Sequence, residues 1–245
     1  MKLHIVVPTI MTNPRQEFKC LEELVFQFEH NNLDFQIYFV ANVPYPEFDK
    51  YIPTSNRIQK SISNLEFSIS RAINSVFKNI EYSKNDILAF IQSDTFFKRA
   101  SWITDLLEVV QSPELKAGVV GLRPHFDSNQ IGSPINFKQK FDIHPVLWSD
   151  GVMLFTGEVF DTVGEFDENY FGDCESQDFC YSAYQAGYTN YWCSDKNGWF
   201  GYSNRATGFE GKAKRNKKVF LQKVEQSRKY FKEKWSKVLG KTFFP

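Results

Sequence analysis

The sequence predicts an α/β protein: a Rossmann-like, mostly parallel central sheet flanked by helices, with a C-terminal helical extension. Three observations carry this. Short apolar runs alternate with longer stretches of helical character, the pattern of repeated βαβ units. Several of those runs, LHIVVP and ILAFI among them, read as buried strands. The chain then closes on a basic amphipathic stretch from about Lys217 to Lys237. At 245 residues it can bury one sizeable core. That places a single domain over residues 1–210 and a basic helical extension, packed on the same domain, over residues 211–245.

In chain order, Leu3–Pro8 reads as the first strand, and Glu17–His30 as a helix with Leu21, Leu24, Val25 and Phe28 at helical spacing. Phe35–Val40 is a second strand that ends at Ala41-Asn42, followed by a Pro-rich link over Val43–Pro53. A helical stretch over Ile69–Ile80 leads to a third strand, Asp86–Ile91, and a helix over Ser101–Val110. Ala117–Leu122 and Gly151–Phe155 are the fourth and fifth strands. Residues 123–150 between them lack periodicity and hold His125, His144, Pro145 and Trp148. They read as a long loop, which in a compact domain is usually functional or mobile. Glu175–Ala186 is a helix with Phe179, Ala183 and Ala186 on one face. No internal repeat, low-complexity segment or linker precedes about residue 205.

Composition narrows the function classes. Apolar content of 42% and charged content of 24% are those of a globular domain. No run of apolar residues is long enough for a transmembrane segment. The opening MKLHIVVPT reads as a strand rather than a signal peptide. Cys20, Cys174, Cys180 and Cys193 form no CxxC pair or zinc spacing, which suits reduced thiols and a cytoplasmic location. Net charge is zero, yet residues 211–245 carry 12 Lys and Arg against 2 acids, and the body the complementary excess of acids. Such a tail is either a solvated basic helix lying on an acidic body or a contact for phosphate, in a diphosphate donor, an anionic lipid or a nucleic acid.

In a parallel sheet, ligands bind where loops converge at the carboxyl ends of strands. Three such ends carry polar residues: Thr9, Asn42 and Gln92-Ser93-Asp94. Asp94, delivered by a buried strand, is suited to hold Mn²⁺ or Mg²⁺ against a diphosphate, since such ions need only one or two protein carboxylates. It would otherwise cap a turn or the helix near Ser101. Glu175 and Asp178 share a helix face three residues apart, where a base for an acceptor hydroxyl can sit. The helix dipole alone also favours acids in that first turn. Asp150, Trp148 and Trp199 are candidate acceptor contacts. No P-loop or GxGxxG phosphate loop is present.

The run DGVMLFTGEVFDTVGEFDENYFGDCESQDFCYSAYQAGY resembles the central signature of family 2 glycosyltransferases, enzymes of the GT-A fold. The matching positions are Gly164, Phe166, Asp167, Glu168, Phe171, Glu175, Asp178, Ala186, Gly187 and Tyr188. Upstream, IQSDTFFKRASWITDLLEVV resembles the segment carrying the family's relaxed Asp-x-Asp motif, and RKYFKEKW resembles a C-terminal tail of some members. The resemblance implies a hexosyl- or pentosyltransferase that uses a nucleoside-diphosphate sugar donor and a divalent metal, usually with inversion. The acceptor hydroxyl would belong to a glycan, a lipid-linked sugar or another carrier, with nucleic acid a further option through the basic tail. The resemblance implies Asp94 as the metal carboxylate, Thr9 and Asn42 near the nucleoside, and Arg71 or Asn74 near the sugar-phosphate. Glu175 and Asp178 match the first and last acids of the Glu-Asp-x-Asp helix.

The chain departs from that pattern in places that bear on chemistry. The family's usual base is replaced by Ser176, which leaves Glu175 or Asp178 to act, or a nucleotide-sugar- or glycan-binding module without catalysis. Gln92 stands where stricter members have Asp, and Ala41 where an acid often contacts the nucleotide base.

Overall fold

The computed structural model describes residues 1–9, 14–41, 55–62, 68–123, 130–195, 198–199, 201–203 and 217–239. Its elements are β1 (Leu3–Thr9), α1 (Pro14–His30), β2 (Phe35–Ala41), β3 (Ile58–Ile62), α2 (Ile69–Phe77), β4 (Ile87–Ile91) and β5 (Thr95–Phe97). They continue with α3 (Trp102–Val110), β6 (Ala117–Arg123), β7 (Ile135–Phe137), β8 (Phe141–Val146), β9 (Asp150–Thr156) and α4 (Gly157–Val163). The last are α5 (Glu175–Gln185), β10 (Thr189–Asp195), β11 (Gly198–Trp199), β12 (Gly201–Ser203) and α6 (Lys217–Leu239).

The main sheet has the order β3-β2-β1-β4-β9-β6-β10-β8-β7, with β11 added to β10, and β12 pairs with β5 in a small second sheet. β1, β2 and β4 are buried along their whole length. Continuous Val, Ile, Leu and Phe runs of this kind suit strands covered on both faces. Side chains alternate across the strands. Leu3, Ile5, Ile37 and Ala89 face a core layer with Phe18, Leu21, Leu24 and Phe28 of α1 and Trp102 and Leu106 of α3. Val6, Tyr38, Leu88 and Phe155 face a second layer built by α2, α4, α5 and α6. The result is an α/β/α sandwich.

Two expectations change. The sheet is mixed in its pairing: β3, β2, β1 and β4 pair parallel, as do β6 and β10, but β9 runs antiparallel between β4 and β6. The stretch read as a loop contains β7 and β8, which extend the sheet antiparallel from β10. Their alternating or exposed patterns and Pro145 hide them from a search for apolar runs. α6 joins the second core layer through Phe231 and Trp235. No helix among the described residues is long and apolar enough to cross a membrane.

Candidate active site

β1 and β4 end side by side at one edge of the sheet. Thr9 is buried there, and its hydroxyl donates to the carboxylate of Glu17 in the first turn of α1. β4 delivers Gln92, and the chain then turns, the Thr95 amide donating to the Gln92 carbonyl at 3.0 Å. Gln92, Ser93 and Asp94 are all partly exposed in this turn. Asn42 lies outside the described residues.

Because β9 is antiparallel, its first residue arrives where β4 ends: Ile91 pairs with Val152, and the Gln92 amide donates to the Gly151 carbonyl at 2.9 Å. Gly151 holds φ at 80°, a left-handed turn that L side chains strain to adopt. Asp150 is thereby set at the sheet edge, partly exposed. Its Oδ1 accepts from the Gly151 amide at 2.7 Å, the Ser176 hydroxyl at 3.2 Å and the Gln92 side-chain amide at 3.4 Å.

Ser176 comes from the first turn of α5, where Gly172 and Cys174 are both left-handed, at φ 68° and 73°. That bend turns Glu175 inward, where it is 4% exposed, and its Oε1 accepts from the Gly172 amide at 2.6 Å. Burial pushes the Glu175 carboxyl up to about 7; the Gly172 amide opposes the shift, while the charges of Asp173 and Asp150 add to it. Three elements therefore bring Gln92, Asp150, Glu175 and Ser176 together, with Asp94 in the adjoining turn.

Asp178 faces elsewhere. Its Oδ1 accepts from Tyr170 Oη at 2.9 Å and Trp235 Nε1 at 2.7 Å, and Lys234 Nζ donates to Oδ2 at 3.0 Å. Lys234 and Tyr230 also bind Asp167, at 2.8 and 3.0 Å. Asp178 is thus engaged in docking α6. These α6 donors all belong to the RKYFKEKW run, so its signal is visible in the sequence although its partner is not. Arg228 pairs with Asp173, so part of the basic tail neutralises the acidic body.

Asn74 and Arg71 are likewise drawn away from the edge. Asn74 is buried, its amide donating to the Phe166 carbonyl and Glu168 at 2.9 Å each while its oxygen accepts from the Phe166 amide at 3.0 Å. Arg71 pairs with Glu168 at 3.5 Å. Both brace the turn before α5. Trp148 is 5% exposed within the second core layer. Trp199 is placed by its backbone, opposite Ser194, and its side chain lies outside what is described. His144 sits on β8 with its Nε2 2.8 Å from the Ser194 hydroxyl, and His125 lies outside the described residues. The four cysteines are buried free thiols.

Among the described residues no group of three His, Cys, Asp or Glu is arranged to hold a metal. A single carboxylate such as Asp94 fits a different kind of site, in which Mg²⁺ or Mn²⁺ takes most of its ligands from phosphate oxygens and water.

No protein-family model matches the chain, and no curated protein matches it. Solved structures do. The catalytic domain of Drosophila β1,4-galactosyltransferase 7, in complex with xylobiose, aligns with a TM-score of 0.56 at 14% identity, over 86% of this chain and 74% of that one. TarS residues 1–349 from S. aureus align with a TM-score of 0.52 at 15% identity, over 98% of this chain and 76% of that one. Mannosyltransferase PcManGT from Pyrobaculum calidifontis, in complex with GDP-Man and Mn²⁺, aligns with a TM-score of 0.50 at 10% identity, over 77% of this chain and 53% of that one. The chain has the GT-A fold.

Proposed function

We propose that the chain is a glycosyltransferase that moves a sugar from a nucleoside-diphosphate sugar to an acceptor hydroxyl, with a divalent metal and inversion at the anomeric carbon. The observation that carries this reading is the meeting of the β4 turn, the start of β9 and the first turn of α5 at one sheet edge. It sets a carboxylate suited to a cation, Asp94, in the turn beside two acids suited to proton transfer, Asp150 and Glu175. The fold likeness to enzymes solved with GDP-Man and Mn²⁺ or with xylobiose supports a sugar-transfer reading, and the carboxyl ends of parallel strands are where such folds bind ligands.

Asp94 would hold the cation, whose contribution is to neutralise charge on the departing diphosphate. The Gln92-Ser93-Asp94 turn, fixed to β9 through Gly151, presents that carboxylate on a rigid frame. An acid of the Asp150–Glu175 pair receives the acceptor proton. Because no group of three acids, histidines or thiols is arranged to hold a metal among the described residues, Mn²⁺ should bind weakly alone and tightly with a nucleoside diphosphate. Calorimetry with UDP and GDP, with and without Mn²⁺, measures this directly. In Asp94→Ala, nucleotide binding should lose its Mn²⁺ dependence and transfer should fall about 100-fold or more. Full activity in that variant removes Asp94 from the metal role, and a wild-type chain that binds no nucleoside diphosphate from a broad panel removes the reading.

A further inference from the structure

Of the two acids at the sheet edge, only one is built to meet a substrate. Glu175 is almost wholly covered, with one oxygen tied to the Gly172 amide, so a hydroxyl from solvent reaches it poorly. Asp150 is partly exposed at the mouth of the site. Its Oδ1 is fixed from three sides, by its neighbour's amide, by an amide on the β4 turn and by a hydroxyl on α5. An acid whose orientation is locked by second partners while it remains open to solvent has the geometry required of a general base. Its supports are also informative. The Gln92 contact links it to the turn that carries Asp94, and the Ser176 contact links it to the helix that carries Glu175. A serine on the first turn of α5 cannot accept a proton at neutral pH, but it can donate a hydrogen bond to an acid that does.

We propose that Asp150 is the catalytic base, with Ser176 and Gln92 as positioning residues that hold its carboxylate toward the acceptor. This rests on the glycosyltransferase reading and names the proton acceptor within it. The acceptor O–H proton passes to the Asp150 carboxylate as the acceptor oxygen forms its bond to the anomeric carbon. The bond from that carbon to the diphosphate oxygen breaks, and its electron pair leaves with the nucleoside diphosphate. Glu175, buried behind Asp150, is a neighbour that shapes the field of the site and does not touch the acceptor.

The test uses the full chain, Mn²⁺ and the nucleotide sugar that the wild type turns over best. It reads kcat for transfer beside the calorimetric Kd for the matching nucleoside diphosphate with Mn²⁺. Asp150→Asn preserves shape and removes the base; kcat should fall about 100-fold or more, with Kd changed less than about threefold. Ser176→Ala should lower kcat by a smaller factor, with Kd unaltered. The decisive variant relocates the carboxylate: Asp150→Ser combined with Ser176→Asp should recover at least about tenfold of the kcat lost in Asp150→Ser alone. Because position 176 is where the resembling family keeps its base, Ser176→Asp alone is the control and should change kcat less than about threefold; an equal gain in both backgrounds would mean that Asp150 is not the acid being replaced.

The proposal is overturned if Asp150→Asn keeps kcat within about threefold of the parent. It is also overturned if that variant loses nucleotide and Mn²⁺ affinity in place of turnover, since Asp150 would then belong to the metal site. A larger kcat loss in Glu175→Gln than in Asp150→Asn would move the base to Glu175. These outcomes leave the glycosyltransferase reading standing. A wild type that binds and turns over no donor fails that reading and takes the base assignment with it.

Discussion

Glu175 and Asp178 lie one turn apart on the same short helix, both buried, and they face opposite tasks. Glu175 folds back onto the bend before the helix, where the Gly172 amide donates to it and burial raises its carboxyl to about 7. Asp178 points toward α6 and receives a phenol, an indole and an ammonium. One face of α5 therefore keeps an acid lightly held, and the other spends an acid on structure. The difference teaches that spacing on a helix cannot assign roles to acids; the donors that reach each carboxylate do so.

The contrast breaks most readily at Asp178. Asp178→Ala would strand the Tyr170 hydroxyl and the Trp235 indole N–H, both buried, and leave Lys234 with Asp167 alone. A loss of about 2–4 kcal/mol is expected, read by urea unfolding, because two buried donors lose their acceptor while Lys234 keeps Asp167. The molecules that remain folded should still bind nucleotide.

Next comes Glu175, through pH. Its carboxyl holds a proton more tightly folded than unfolded, so the stability it contributes is present in acid and is lost as pH rises from about 4.5 through about 7. Glu175→Gln should therefore be more stable than the parent by up to about 3 kcal/mol at pH 8, with no gain at pH 4. Denaturation series at the two pH values check this; an equal effect at both would mean that Glu175 is not held protonated by burial. The smallest effect belongs to Arg228→Ala. This pair with Asp173 is 62% exposed on the arginine side, and a loss of about 0.5 kcal/mol, abolished by salt, is expected from melting curves at low and high ionic strength.

Much of the frame is legible in the residues alone. Largely apolar runs mark β1, β2, β4 and β6, and helical periodicity marks α1 and α3, since each buries enough uniform surface to leave a pattern. β3 leaves no such trace because only Ile58 of its five residues is buried. β8 is hidden because its partner, β10, follows some 45 residues later and dictates strand where local preference does not, and β7 forms only by pairing onto β8. The site shows the same division. Asp94 stands out because a buried strand points at it. The Asp150–Ser176 contact spans 26 positions and depends on β9 reversing direction between two forward strands, so a search of strand carboxyl ends passes over it. The contacts of Arg71 and Asn74 are hidden for a related reason: their partner, the turn at Phe166–Glu168, lies more than 90 residues downstream.

The insertion of β9 also has a consequence for how the chain is born. β3, β2, β1 and β4 can assemble as soon as the first ninety or so residues are made, but the free edge of β4 stays open until β9 follows, 65 residues later. At about 5–20 residues per second that interval lasts roughly 3–13 s on the ribosome. β6 emerges first and must leave the place beside β4 vacant. During those seconds the apolar ILAFI strand is an unpaired edge open to other nascent chains. The strand that later brings Asp150 to the site is also the one that closes this edge.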